Sequence, residues 1–383
     1  MKILYIYKDY YPVLGGIENH IRQLAEEMQV RGHEVEVLVT SQDRQTRREV
    51  INGVPVLKTA RWLNLSSAPV SPRLAWEYWR RLFSKNRPDI IHLQAPYPPG
   101  ELAWLIGSFL PRLGRKRPIT VMTYQSDIIK QKRLLLLYAP FLRAVLRRVN
   151  LILTSSPNYI ESSLFLRPLK AKCQAVSLGI DLQRFMHPPE AVPAFLESLK
   201  ATPGLLLLFT GRLRYYKGLQ FLIEAMPTIP AETRLVIVGI GPQEAALKAL
   251  TARLNLTDRV IFAGEISDEE LPAYYAAADI FVLPACERSE AFGLVQLEAM
   301  AAAKPVVSTE LGTGTSYVNL NGETGLVVAP SDPAALAEAI NKLLADAELR
   351  QDMGRRGQER ASAEFSLKKM VDRLEEIYIR LSS

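Results

Sequence analysis

Two doubly wound α/β domains are the fold class this sequence predicts, on three observations. The chain has 383 residues, more than one ordinary core organises. Short apolar, strand-like runs alternate with helix-period stretches along its whole length, the pattern of βαβ units and parallel sheets. The alternation breaks once, at SLGIDLQRFMHPPE, where apolar periodicity stops and His187-Pro188-Pro189 follows. The expected division is therefore 1–179 and 180–365, followed by a terminal helix over 366–383.

In the first half, KILYIY (2–7) reads as a strand. The stretch 15–32 then places Ile17, Ile21, Leu24, Ala25 and Met28 at helical spacing and stops at Gly32. HEVEVLVT, PDIIHLQ, PITVMTYQ and VNLILTSS are the next strands. The second half repeats the scheme. GLLLLFTG and TRLVIVG are buried strands on either side of the helical LQFLIEAMPTI, and RVIFAG follows. SDEELPAYYAAAD opens on a capping box, Ser267 with Glu270. IFVLPA and PVVST are strands around the helical FGLVQLEAMAAAK. Asp332 caps a helix whose first residue is Pro333. In the final SLKKMVDRLEEIYIRL, Leu367, Val371, Leu374, Tyr378 and Leu381 share one face. Ligands of such sheets bind at the carboxyl ends of the strands, and a cleft between the two domains is the expected site.

Composition narrows the function classes. The N-terminal apolar run is too short for a signal peptide and gives way to charge. The longest apolar run, 134–142, is far below the roughly 20 residues that span a bilayer. Cys173 and Cys286 stand apart, with no CxxC and no Cys/His cluster, which suggests neither a zinc site nor a disulfide framework and fits a reducing compartment. Net charge is +7, unevenly spread: residues 1–179 hold 27 Lys and Arg against 13 Asp and Glu, a net +14, whereas 180–383 hold 20 against 27, a net −7. Basic clusters lie at 44–48, 112–117, 130–133 and 143–148. They read either as a solvated surface or as a face for an anionic membrane or acceptor. No nucleic-acid-binding signature accompanies them.

Three stretches could do chemistry. Gly15 and Gly16 sit between a strand and a helix, where the backbone can approach an anion, although a plain tight turn has the same form and GxGxxG is absent. Arg212 and Lys217 lie five apart in GRLRYYKG, a fork and a point charge suited to a diphosphate; two solvent-facing cations are the plainer reading. In ERSEAFGLVQLE, Glu290 and Glu298 bracket a greasy run. A helix starting near Gly293 would point the amides of Gly293, Leu294 and Val295 at a phosphate. Glu298 would then lie roughly 6–8 Å further on at 1.5 Å per residue, about the distance from a diphosphate to a ribose. The two acids read as a gauge for one nucleotide sugar, not as an acid/base pair.

With IFVLP before these two acids, GRL…KG upstream and GGIE near the start, the chain resembles the retaining glycosyltransferases of family 4, which have the GT-B fold. VSLGID…F, AADIFVLP, LEAMAAAKPVV and TGLVV extend the resemblance over nearly the whole chain. It implies two Rossmann-like domains facing across a cleft, with acceptor bound by 1–179, donor by 180–365, and the last helix crossing back to the first domain. It implies that Glu298 holds the donor ribose and Glu290 the sugar hydroxyls. Arg212 and Lys217 hold the diphosphate with the backbone of Gly16 and Gly15, and Phe292, Gly293, Leu294 and Val295 belong to the donor site. The base packs near Gly239, Gly241, Glu265 and Ile266. No cofactor and no metal are expected, because cations and helix dipoles do the metal's work.

One departure stands out. In VMTYQSD, Gln125 occupies the place where the family often has His. Gln donates or accepts a hydrogen bond but is no base. A front-face mechanism, in which the leaving phosphate takes the acceptor proton, tolerates this, and Gln125 then positions rather than titrates. Asp127 reads as the alternative polar group or as a helix cap. His92, Tyr124, Glu18 and His20 are candidate acceptor contacts, although a lone His is often structural and an acid at a helix N-terminus is favourable in any case.

The expected activity is therefore hexosyl transfer from a nucleoside diphosphate sugar, GDP-mannose or a UDP-hexose, to an acceptor hydroxyl on a glycan or a lipid-linked sugar. The setting would be cytoplasmic, peripheral on the inner membrane face, in polysaccharide biosynthesis. Another GT-B activity (a sugar-nucleotide epimerase or a soluble sugar-phosphate synthase) and a non-catalytic sugar-nucleotide sensor are the alternatives. Base, sugar, acceptor and oligomeric state are open.

Overall fold

A computed structural model describes residues 1–13, 15–65, 68–110, 117–127, 132–189, 193–200 and 203–383, with backbone alone at 65, 132–137 and 200. Of the basic clusters, 112–116, 130 and 131 lie outside the described residues. The chain forms two compact units, Met1–Val176 with Met370–Ser383, and Ser177–Lys369.

Unit 1 is built on an eight-stranded sheet. Its elements in chain order are β1 (Lys2–Ile6), α1 (Gly16–Val30), β2 (Glu34–Thr40), β3 (Arg47–Ile51), β4 (Val54–Thr59), a small hairpin β5 (Leu63–Leu65) and β6 (Ala68–Val70), α2 (Pro72–Phe83), β7 (Ile90–Ala95), α3 (Pro98–Phe109), β8 (Ile119–Tyr124), α4 (Lys132–Arg148), β9 (Leu151–Thr154), α5 (Pro157–Ser162) and β10 (Cys173–Ala175). The sheet order is β10-β9-β8-β7-β1-β2-β4-β3, parallel except for β3 against β4. The β3–β4 hairpin is absent from the sequence reading. Its strands are half-polar, but its turn, Asn52-Gly53 with φ of 49° and 82°, is a strong short-range hairpin signal. β1 and β7 lie side by side at the middle, where the strand order reverses.

Unit 2 runs α6 (Gln183–Met186), α7 (Ala194–Lys200), β11 (Leu206–Thr210), α8 (Leu219–Ala225), β12 (Arg234–Val238), α9 (Glu244–Arg253), β13 (Val260–Gly264), α10 (Leu271–Ala277), β14 (Ile280–Leu283), α11 (Leu294–Ala301), β15 (Val306–Thr309), α12 (Thr315–Val318), β16 (Gly325–Val328), α13 (Pro333–Ala345) and α14 (Ala347–Glu364). The sheet is fully parallel, β13-β12-β11-β14-β15-β16, the Rossmann order with its reversal between β11 and β14. Local chemistry sets the helix ends. Asp332 accepts from the Ala335 amide at 3.0 Å. The Ser267 hydroxyl accepts from the Glu270 amide at 3.2 Å and donates to the Glu270 carboxylate, so only half of the expected capping box forms.

The last helix, α15 (Leu367–Ser382), packs into unit 1 from Met370 onward. Met370, Val371, Leu374, Ile377 and Tyr378 are buried. At its edge Arg31 reaches Asp372 and Glu375, both at 2.6 Å, and His33 meets Glu375 at 2.8 Å. At its centre Tyr378 meets His92 Nδ1 at 2.5 Å. Thr123 Oγ1 stands 2.6 Å from the other ring nitrogen of His92.

Unit 1 buries two imidazoles. Burial holds His20 down to about 4, and burial with His20 nearby holds His92 down to about 3. Unfolded, both titrate near their ordinary value, so below it the unfolded chain binds protons first and acid destabilises the fold. Each imidazole removes up to about 1.4 kcal/mol per pH unit. Glu101, raised to about 7 by burial, acts with the opposite sign. The contribution of His20 is therefore read as a difference: between pH 6.5 and 5, urea unfolding should show wild type losing stability faster than His20→Gln, and equal slopes would remove the argument.

Candidate active site

The reversal point of unit 2 brings two distant loops together. β11 and β14 are paired, Leu207 with Ile280 and Leu208 with Phe281, so the chain leaving Thr210 runs beside the chain leaving Leu283. The approach is tight. Gly218 has φ of 69°, and a Cβ on it would stand 1.9 Å from the Pro284 carbonyl oxygen. The Cys286 amide donates to the Tyr216 carbonyl at 2.8 Å. The result is that Lys217 Nζ lies 2.6 Å from Glu290 Oε2, with both side chains about nine-tenths buried. Burial opposes the ammonium, but Glu290, with Tyr216, holds the pKa of Lys217 above its ordinary value. The Glu290 backbone is itself fixed, its carbonyl accepting from Thr313 Oγ1 at 2.8 Å.

Lys217 is thus a buried, internally paired cation. Arg212, five residues earlier, is exposed. The sequence treats the two alike; the structure makes one of them a guarded charge and the other a solvent-facing one.

Gly293, with φ of 77°, precedes α11, so the helix begins where the sequence predicts and its first-turn amides have no intrahelical acceptor. The Phe292 ring turns away to pack against Phe365, with centroids 6.0 Å apart; Phe292 offers this region its backbone only. One turn along α11, Glu298 Oε2 accepts from Tyr275 Oη at 2.6 Å. That same hydroxyl lies 2.5 Å from Thr210 Oγ1, at the end of β11. Burial raises the Glu298 pKa, and Tyr275 and the Arg184 guanidinium oppose the rise. Sequence reading missed Tyr275. In AYYAAAD it passes for an apolar helix position, yet a fully buried tyrosine hydroxyl requires a partner, and that is the signal that would have found it.

The loops after β12 and β13 lie against the β11 loop. Gly239 donates to the Gly264 carbonyl at 2.6 Å and Leu213 to the Ile240 carbonyl at 3.0 Å. A Cβ on Gly239 would meet the Gly211 oxygen at 2.2 Å, and one on Gly241 the Leu213 oxygen at 2.4 Å. Close loop packing therefore accounts for these two glycines without a ligand. Glu265 is exposed and Ile266 half-buried.

Unit 1 holds the remaining candidates. Gly16 is open, but a Cβ on Gly15 would lie 2.2 Å from Glu18 Oε2. Glu18 folds back over the start of α1, its pKa raised by burial and lowered by the hydrogen bond from its own amide. The Glu18 carboxyl thus lies at the start of its own helix, beside Gly15.

Gln125 lies at the end of β8, buried, with its amide nitrogen donating to Gln94 Oε1 at 2.9 Å. Gln94 Nε2 approaches His92 Nε2 at 3.4 Å. A chain of polar contacts therefore runs from Gln125 through Gln94 and His92 to Tyr378.

Four acceptor candidates are corrected. His92 is wholly buried with both ring nitrogens engaged, so it supports Gln94 instead of meeting a ligand. Tyr124 is buried and donates to Asp127 Oδ1 at 3.0 Å. Asp127 also accepts from Ser163 Oγ at 3.0 Å and donates its amide to Tyr159 Oη at 2.6 Å, which makes it a tie between β8 and α5. His20 is buried on α1, its imidazole held neutral above about pH 4. Among the described residues no group of three or more His, Cys, Asp or Glu could hold a metal ion, and no helix is long and apolar enough to cross a membrane.

Residues 14–184 match the family described as Glycosyltransferase Family 4, and residues 195–360 that described as Glycosyl transferases group 1. The chain is 33% identical over 382 residues to O-antigen chain mannosyltransferase C of Escherichia coli, covering 100% of this chain and 99% of that protein. It is 29% identical over 368 residues to the GDP-mannose-dependent alpha-(1-6)-phosphatidylinositol monomannoside mannosyltransferase of Mycolicibacterium smegmatis, covering 92% and 91%. In fold it is similar to the sucrose-phosphate synthase of Thermosynechococcus elongatus, with a TM-score of 0.78, 24% identity, and 99% and 98% of the two chains covered.

The ion pair makes a prediction that does not depend on what binds. Lys217→Ala leaves Glu290 as a buried, uncompensated charge and should cost unit 2 about 3–5 kcal/mol. Adding Glu290→Gln should recover most of it in urea unfolding. If the single and double variants are equally destabilised, the pair is not what Lys217 contributes.

Proposed function

The chain belongs to glycosyltransferase family 4, and from that premise we propose that it moves a hexose from a nucleoside diphosphate sugar to an acceptor hydroxyl, with retained anomeric configuration and no bound metal. The observation that carries this reading is the buried Lys217–Glu290 pair at the reversal point of unit 2, with Glu298 held one turn along α11 by Tyr275.

Within that reading, the donor diphosphate takes over as the counter-charge of Lys217. Arg212 closes on it from solvent, and the first amides of α11 complete the cradle. Glu290, released from Lys217, turns to the sugar hydroxyls. Glu298 takes the ribose; because Tyr275 occupies one of its oxygens, the other is the one left for the ligand. The bond between the anomeric carbon and the phosphate oxygen breaks as the acceptor oxygen adds on the same face, and the acceptor proton passes to the departing phosphate. The charge that develops on the diphosphate meets cations already in place, which is how a metal becomes dispensable. Gln125, oriented by Gln94, positions a sugar hydroxyl and carries no proton.

The names of the relatives, a mannosyltransferase and a GDP-mannose-dependent enzyme, favour GDP-mannose as donor. The second name, with the +14 charge of residues 1–179, favours a lipid-linked acceptor and an anionic membrane as the surface on which the enzyme works.

A thermal-shift panel of GDP-mannose, UDP-glucose, UDP-GlcNAc and their diphosphates should show stabilisation by guanosine ligands, since binding to the folded state raises the midpoint by mass action. Uridine ligands alone raising it would overturn the donor assignment. Product anomeric configuration by NMR, with turnover unchanged by chelator, tests the mechanism; an inverted product or chelator-sensitive turnover would sink it. Glu290→Gln frees Lys217 of its internal partner, so it should bind the free diphosphate severalfold more tightly while losing transfer. Weaker binding of the diphosphate would contradict the exchange of partners.

A further inference from the structure

Helices α2, α3 and α4 form one layer of unit 1, and the outer face of that layer is unusual. α2 and α3 meet at Gly107, where a Cβ would stand 2.8 Å from Tyr78 Cε1, and Trp79 Nε1 donates to the Ala103 carbonyl at 2.9 Å. α4 joins α3 through Arg148, whose Nε donates to Ser108 Oγ at 2.6 Å and whose guanidinium lies 4.0 Å over the Phe109 ring. What these contacts leave outside is apolar. On α3, Leu102, Ile106 and Phe109 follow at i, i+4, i+7 spacing and are 48%, 42% and 65% exposed. On α2, Trp76 and Phe83 are 57% and 48% exposed.

The charges on the layer are one-sided. Its three helices carry eight Lys and Arg and two carboxylates, and both carboxylates, Glu77 and Glu101, are 1% exposed. Glu77 is consumed by Arg73, Arg80 and Arg81, Glu101 by the Tyr97 amide and Tyr138. Arg143 and Arg147 stand exposed one turn apart on α4. A face with large apolar and aromatic side chains, a cationic margin and no exposed carboxylate on its helices suits the headgroup region of an anionic bilayer. A second copy of the chain fits less well, since a two-fold interface would set this cationic face against itself.

We propose that the α2–α3–α4 face is the surface by which the enzyme rests on an anionic membrane, with Leu102, Ile106, Phe109 and Trp76 entering the headgroup–acyl boundary and Arg143 and Arg147 meeting lipid phosphates. This rests on the membrane reading given above and adds the surface that carries it.

The test is co-sedimentation of the full chain with phosphatidylglycerol/phosphatidylethanolamine vesicles, with phosphatidylcholine vesicles as control. Wild type should partition to the anionic vesicles, and brominated lipid should quench a fluorescence component that Trp76→Phe removes. Ile106→Asp with Phe109→Asp should lower partitioning by about tenfold or more, and Arg143→Glu with Arg147→Glu should lower it severalfold. The thermal shift with nucleoside diphosphate should be unaltered in both, which shows that they fold. If the apolar variants bind as wild type does and Trp76 stays unquenched, the membrane partner stands but this face is not its seat. If wild type ignores anionic vesicles at low salt, both readings fall. If the variants only convert a dimer to a monomer, the face belongs to a second copy and the proposal is overturned.

Discussion

The buried ion pair between Lys217 and Glu290 organises the site in unit 2. Two charges nine-tenths removed from water are tolerable only together, so the loop after β11 and the loop after β14 must be held in register. The fold achieves this with backbone. Parallel pairing of β11 and β14 sets the loops side by side, Gly218 allows contact with Pro284, and the Cys286 amide ties the two loops. Neighbouring loops inherit the constraint: Gly239 and Gly241 are glycines because the loop carrying Lys217 leaves no room for a side chain. An ammonium kept paired in this way is also an ammonium held in place.

Unit 1 solves a comparable problem with neutral groups. His92 sits in the middle of the sheet, with no exposure and a pKa pushed down to about 3. It is stable there as an uncharged imidazole between Thr123 and Tyr378. Through Gln94 it supports Gln125, and through Tyr378 it fastens α15. One buried ring thus links a candidate substrate-positioning amide to the docking of the C-terminal helix.

Much of the fold was legible. Long apolar strands betray themselves by composition, and α13 and α11 begin where Asp332 and Gly293 predict. The β3–β4 hairpin escaped because its outer strand, RREVI, is polar, although Asn52-Gly53 marked the turn. Sequence reading singles out Arg212, Lys217, Glu290 and Glu298 as candidates, but their burial and partners were not legible. Lys217 and Arg212 look alike in GRLRYYKG; only the fold buries Lys217 against Glu290 and leaves Arg212 exposed. His92 and Tyr124 looked available at strand ends and proved to be spoken for.

By itself the sequence determined the class of fold, the placement of strands and helices, and which residues carry charge near strand ends, because these follow from local periodicity, turn chemistry and composition. Tertiary structure decided which of those residues share a partner. Glu290 meets Lys217 across 73 positions, Tyr275 reaches both Thr210 and Glu298, and α2, α3 and α4 gather their exposed apolar residues onto one layer. Such meetings depend on strand order, which joins segments far apart in the chain, and no window of local sequence contains that order.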